Sequence, residues 1–259
     1  MLAQFESWDG YRKFALSVQR KARHVFEDHV YKFLETVIAT SEKRKRELPI
    51  DRFLWRAQQG DHWEEVSVEG ETFPDQQPLP PNRMKPLPHS AREGRVNPKG
   101  IPCLYLATDK DTAMAEIRPW IGSYISVGQF KTLRNLNLVD CSVEHARGFT
   151  FYRTEPDPAK REEAVWAEID SSFSEPINSD ESNAEYAPTQ ILAEAFRKNG
   201  YDGVMYKSHL GKGFNVAIFD INAAELVNCC LFRAESLEFK FEQAGNPYIM
   251  DRPSRNQGD

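Results

Sequence analysis

The sequence predicts an α+β fold, a mixed β-sheet core preceded by an N-terminal helical extension. Three observations lead there. Apolar residues from Tyr11 to Ile38 recur at intervals of three and four, the mark of an amphipathic helix. After residue 50, short alternating or aromatic runs are separated by turns bearing Gly and Pro. Two further helical stretches, 159–170 and 188–199, lie among those runs. The expected division is a helical extension over 1–48, a catalytic domain over 49–240 and a polar tail over 241–259.

Residues 10–46 read as one long helix or two in tandem. Phe14, Ala15, Val18, Ala22, Val25, Phe26, Val30, Phe33, Leu34, Val37 and Ile38 fall on its apolar stripe, and Lys43, Arg44, Lys45 and Arg46 suit the negative end of a helix dipole. Arg23 and His29 loosely fit a spacing found in helical ribonucleases, and His24, Glu27 and Asp28 a helical metal site. Both patterns are short enough to arise in any charged helix, so solvated side chains are the simpler reading. Residues 51–57 form a strand, with Phe53, Trp55 and Ala57 on one face and Leu54 and Arg56 on the other. The eight prolines between 71 and 102 exclude a helix or a central strand there, and a loop of that length is more often a functional cover than filler.

The loop delivers the chain to Gly94, Arg95, Val96, Asn97 and Pro98, followed by a strand over 103–107 that separates Tyr105 from Leu104 and Leu106. Asp109 caps the next helix, on which Ala113, Glu116 and Ile117 share a face, so Glu116 is expected near the interior with arginine or hydroxyl partners. Strands follow at 124–130 and 136–140. Residues 171–185, rich in serine and acidic residues, read as a surface insertion. Gly200 stops the helix over 188–199, and strands at 203–208 and 214–220 flank a glycine-bearing loop that puts Ser208 beside an opening. One or two strands are expected after Ala223.

Composition bounds the function. A net charge of -6 argues against a general polyanion binder, because nucleic-acid affinity rests on displacement of counterions by lysine and arginine. No direct nucleic-acid contact is expected. No run approaches the ~20 apolar residues of a membrane span and the N-terminus lacks a signal-type apolar core, so the expected location is the cytoplasm. The four cysteines contain no C-x-x-C pair, which points to reduced thiols and no metal. No G-x-G-x-x-G follows a strand and no G-x-x-x-x-G-K-[ST] occurs, so a Rossmann dehydrogenase and a P-loop NTPase are both disfavoured.

The polar residues left over are Arg56, Arg95, Tyr105, Glu116 and Ser208, each from a different element. Two arginines suit phosphate by charge and fork geometry, a tyrosine packs against a ring, and a hydroxyl holds a ribose or phosphate oxygen. Most glycosidases need two carboxylates, one of them to protonate an alkoxide. Nicotinamide departs from NAD as a neutral molecule and needs no such acid. One glutamate with two arginines therefore fits cleavage of a dinucleotide N-glycosidic bond.

These residues resemble the RES domain family, named for its Arg, Glu and Ser. The resemblance rests on three blocks in order: Leu54-Trp55-Arg56; Gly94-Arg95-Val96-Asn97-Pro98 through Leu104-Tyr105-Leu106-Ala107 to Ala113-Met114-Ala115-Glu116; and Gly200-Tyr201-Asp202-Gly203-Val204 through Tyr206 and Ser208 to Asn215 and Asp220. Val96 stands where the family often has an aromatic. The resemblance implies a fold related to ADP-ribosyltransferases and a toxin of a toxin-antitoxin pair that destroys NAD, with inorganic phosphate as a co-substrate if the reaction is phosphorolysis. It implies Glu116, Arg56 and Ser208 as catalytic residues and Arg95, Asn97, Tyr105 and Asn215 as substrate-binding ones. An Xre-type antitoxin is the implied partner. The apolar stripe of the N-terminal helix also admits a homodimer. Protein mono-ADP-ribosylation and non-catalytic sensing of NAD or ADP-ribose are the alternatives.

Overall fold

The computed structural model of the chain describes residues 3–147, 151–176, 183–238, 240–243 and 245. Two helices open it, α1 (Gly10–Arg20) and α2 (Asp28–Ser41), followed by a 3-10 turn over Glu42–Arg44. Then come β1 (Lys45–Leu48), β2 (Phe53–Gln59), β3 (His62–Val68), β4 (Glu71–Gln77), α3 (Pro81–Met84), β5 (Leu104–Ala107), α4 (Lys110–Glu116), β6 (Tyr124–Thr132) and β7 (Leu136–Asp140). The chain continues through α5 (Pro158–Ser174), α6 (Ala187–Lys198), β8 (Gly203–Lys207), β9 (Phe214–Ile218) and β10 (Ala224–Arg233).

Eight strands form one mixed sheet in the order β1-β7-β8-β9-β5-β2-β6-β10, while β3 and β4 pair separately as a ribbon. Within the large sheet β7 and β8 run parallel. A parallel pair needs a long crossover, and α5 and α6 lie between these two strands in the chain. The fold class is the α+β expected.

Alternation along the central strands divides the core. On one face Tyr105, Val204, Tyr206 and Ala217 meet Phe14, Phe33, Trp166, Phe173 and Phe196 from the helices. On the other, Leu54, Leu104, Leu106, Met205, Val216 and Ile218 pack with Phe130 and Met84. Trp166, Phe196, Leu54 and Leu104 are fully buried, each worth about 1.5–3 kcal/mol relative to exposure.

The N-terminal stretch divides into two helices, and residues 21–27 between them are not helical. His24 and Glu27 therefore do not share a helical face with Asp28 or His29. The basic run straddles the end of the helical stretch, with Lys43 and Arg44 in the closing 3-10 turn and the other two in the following strand. Arg44 is buried with its guanidinium 4.4 Å from the Trp166 ring centre, Lys45 opens β1, and Arg46 pairs with Asp140 at 2.9 Å. β1 joins the large sheet by pairing antiparallel with β7, Lys45 opposite Val139.

Two further expectations change. The proline-rich stretch contains a strand, β4, which tolerates Pro74 because a two-stranded ribbon leaves each strand an open edge. It also contains α3, whose Met84 is fully buried. The insertion at 171–185 starts as the last turn of α5, with Phe173 fully buried. Its residues 177–182, and residues 246–259 of the tail, lie outside the described residues. After Ala223 a single long strand, β10, runs beside β6 with a register shift between Leu226 and Asn228. Among the described residues no helix is long and apolar enough to cross a membrane.

Where α1 begins it meets Glu168 of α5. Burial pushes this carboxyl from 4.5 up to about 7, against the opposing pull of the Arg12 backbone N–H. Because the folded value is the higher one, the stabilisation it reflects is complete below about pH 4 and lost as pH rises through about 7. Glu168→Gln should therefore flatten the fall in stability between pH 5 and 8. With a discount for partial exposure, the difference should reach about 1–2 kcal/mol by denaturant titration at the two pH values.

Candidate active site

Strands β8, β9 and β5 lie side by side, and Asn215 of β9 stands opposite both Tyr206 and Ala107. The helix beside them, α4, is fixed at its start. Asp109 accepts from the Thr112 backbone N–H at 2.8 Å and from its hydroxyl at 2.8 Å. The Thr112 hydroxyl in turn accepts from Gly213 N–H at 2.9 Å, which ties the loop after β8 to the first turn of α4. Glycine is required at the contact, since a Cβ on Gly213 would lie 1.8 Å from Asp109 Oδ2.

This tie brings three of the expected residues together. Glu116 Oε1 accepts from Ser208 Oγ at 2.6 Å and from Asn215 Nδ2 at 2.7 Å. Ser208 Oγ also accepts from the backbone N–H groups of Leu210 at 3.2 Å and Gly211 at 2.9 Å. Its proton and both lone pairs are thus engaged, which makes it a residue that positions Glu116. Asn215, itself buried, does the same from the adjacent strand.

Glu116 is exposed, contrary to the expectation that it turns inward with Ala113. The last residue of α4, it lies about 60° round the helix axis from the buried Ala113. The hydroxyl partner was anticipated. The second partner is an amide rather than an arginine.

A second cluster organises the Gly94 loop. Tyr105 donates its hydroxyl proton to Asn97 Oδ1 at 2.7 Å and accepts from Val96 N–H at 2.9 Å. Buried Asn97 then donates through Nδ2 to the carbonyls of Arg92 at 2.9 Å and Ile101 at 2.8 Å. A Cβ on Gly94 would sit 2.5 Å from the Tyr105 hydroxyl, so glycine permits the latch to close. From α6, Gln190 Nε2 donates to the Gly94 carbonyl at 2.9 Å. Val96 is buried among the helix-side core residues, not presented for stacking. Tyr105→Phe would leave Asn97 Oδ1 and Val96 N–H without this partner, and should cost about 1–3 kcal/mol in thermal or chemical unfolding.

The arginines are also engaged. Arg95 donates to the Ser172 carbonyl at 3.0 Å and to the Glu175 carbonyl, binding the C-terminal turn of α5 where cations are favoured. Arg56 donates to the Tyr105 carbonyl at 2.9 Å. It does so where β2 and β5 share a single bridge, Trp55 opposite Ala107, so the guanidinium supplies a donor that an opposing strand would otherwise give. Arg56 Nε is buried without a protein partner, and burial lowers the guanidinium pKa while Cys103 and Tyr105 oppose that shift. An anion reaching Nε would relieve the uncompensated charge.

Tyr206 is the residue the sequence reasoning gave no role. Burial pushes its hydroxyl pKa up, Arg95 draws it down and Glu116 raises it, so its phenol feels both clusters. Its place in the third block of the resemblance, two residues before Ser208, was the available signal. Among the described residues, no three His, Cys, Asp or Glu side chains converge as a metal site.

A family model described as RES domain matches residues 53–242. Among solved structures, the crystal structure of the M. tuberculosis MbcT-MbcA toxin-antitoxin complex is similar at 16% identity, covering 76% of this chain and 92% of that chain, with a TM-score of 0.42. No match was found among curated proteins.

Proposed function

The chain belongs to the RES domain family, and from that premise we propose that it cleaves the nicotinamide–ribose bond of NAD, acting as the toxin of a toxin-antitoxin pair in the cytoplasm. The observation that carries this reading is the Glu116 carboxylate. It is open to solvent, with Oε1 held by Ser208 and Asn215 and Oε2 bonded by no donor among the described residues. A carboxylate fixed through one oxygen presents the other to charge that develops nearby, without reorganisation when the reaction occurs.

In the proposed reaction the C1–N bond of the nicotinamide ribose breaks, its electron pair passes to the pyridinium nitrogen, and neutral nicotinamide leaves. Glu116 stabilises the positive charge on the ribose carbon. A water or phosphate oxygen then bonds to that carbon, and the proton released from the nucleophile goes to solvent. Arg56, through Nε, and Arg95 offer charge for the diphosphate or an incoming phosphate. Ser208 and Asn215 act through Glu116, and Tyr105 with Asn97 sets the loop that carries Arg95. The catalytic unit is proposed as 49–240, with an Xre-type antitoxin as its partner.

Incubating the protein with NAD, with and without phosphate, and weighing the products by mass spectrometry tests the reading. Nicotinamide with ADP-ribose identifies a hydrolase, and nicotinamide with ADP-ribose 1″-phosphate a phosphorylase. No nicotinamide at high enzyme concentration sinks both. The exposure of Glu116 favours one second reading, transfer of ADP-ribose to a protein side chain too large for an enclosed pocket. Labelled NAD that leaves every lysate protein unlabelled would remove it.

A further inference from the structure

A cavity of about 520 Å³ opens between α1, α5, the segment carrying His145 and the loop after β8. Its size falls within the roughly 300–1,000 Å³ typical of small-ligand sites. Two of its walls carry parts of the site already described. His209, in the lining, directly follows Ser208. Ser172 and Glu175, also in the lining, supply the carbonyls that Arg95 binds. A larger cavity of about 780 Å³ between α1 and α2, lined by Phe5, Phe14 and Phe33, includes neither the loop after β8 nor the end of α5.

The chemistry of the smaller cavity is specific. On one side Tyr11, Ala15 and Leu16 give it apolar surface. On the other are three carboxylates, Glu168, Asp170 and Glu175, with Arg12 beside Glu168. Asp170 is buried and holds His145 through Nδ1 at 2.6 Å, with Ser174 at 3.4 Å on its other oxygen. Glu168 lines the cavity too, and its Oε2 is buried with no hydrogen-bond partner in the protein. An unpartnered buried carboxylate oxygen calls for a donor. A ribose hydroxyl is a suitable one, since acidic residues recognise the ribose hydroxyls of dinucleotides elsewhere. The lining carries three carboxylates against the single cation Arg12, so the phosphates would lie outside, toward Arg95.

We propose that this cavity is the adenosine subsite, taking the adenine against Tyr11 and Leu16 and a ribose hydroxyl on Glu168, while the nicotinamide ribose lies at Glu116. The assignment rests on the NAD-cleaving reading for what the bound nucleoside belongs to, but its binding chemistry does not require turnover.

The test uses the full chain and two probes, adenosine and ADP-ribose, titrated by calorimetry into wild type, Glu168→Leu and Ala167→Phe. Ala167 lines the cavity without belonging to the core clusters, so the larger ring fills the cavity, and a thermal melt checks that both variants are folded. Both probes should bind wild type, and each variant should raise their dissociation constants at least about tenfold. In NAD cleavage, Ala167→Phe should raise KM and leave kcat nearly unchanged. Absence of adenosine binding to wild type, or equal affinity in the folded Ala167→Phe protein, overturns the assignment. NAD left intact while adenosine binding obeys the variants sinks the cleavage reading and supports the cavity. NAD cleaved with KM unmoved by Ala167→Phe sinks the cavity alone.

Discussion

Glu116→Gln should lower the rate of nicotinamide release by about 10²–10³-fold, the scale on which a single preorganised electrostatic contact acts. The substitution removes charge with little change in shape. A glutamine oxygen still accepts from Ser208 and Asn215, so the loop after β8 and the end of α4 should keep their places, and the melting temperature should change little. A loss of rate at constant fold therefore reports the charge. Rates of nicotinamide release for the two proteins, measured with a melt of each, check this. A variant as fast as wild type would remove Glu116 from the chemistry. Ser208→Ala, which withdraws one of the two donors, should produce a smaller loss, because Asn215 remains.

The largest structural effect is expected at Gly203, the first residue of β8. A Cβ there would lie 2.2 Å from the Ala217 carbonyl oxygen and 3.1 Å from a Leu138 methyl carbon. The nearer atom belongs to the backbone of the neighbouring strand, in the centre of the sheet, and no rotation of a side chain relieves the contact. Gly203→Ala should destabilise the protein by about 3 kcal/mol through overpacking, which corresponds to a fall in melting temperature of about 6–12 °C. Since β8 leads into Tyr206 and Ser208 and pairs with the strand carrying Asn215, loss of NAD cleavage should accompany the loss of stability. A calorimetric scan that shows an unchanged melting temperature would contradict this packing.

The parts of the site legible in the sequence are those written in local chemistry. Asp109 before a short helix announced a cap, Gly200 a helix stop, and the alternation of Leu104, Tyr105 and Leu106 a strand with two different faces. Each was found where expected. The parts that were not legible depend on partners far along the chain. Whether Glu116 points inward turns on where α4 ends. Whether Tyr105 and Asn97 serve a substrate or each other turns on how the Gly94 loop folds back. The interval between α1 and α2 contains neither Gly nor Pro, so nothing local marks the break. The ribbon strand β4 was hidden because Pro74 argues against a strand in a wide sheet and not against one with an open edge.

That ribbon has an electrical consequence. Residues 61–77 contain Asp61, Glu64, Glu65, Glu69, Glu71 and Asp75 and no lysine or arginine, while the whole chain carries a net charge of -6. The net excess of acid therefore equals that of this largely exposed hairpin, and the rest of the chain is balanced between acid and base. Under the proposed function, a dinucleotide with a negative diphosphate would meet a body that is neutral apart from this hairpin, so the overall sign of the protein would raise no general barrier to its approach.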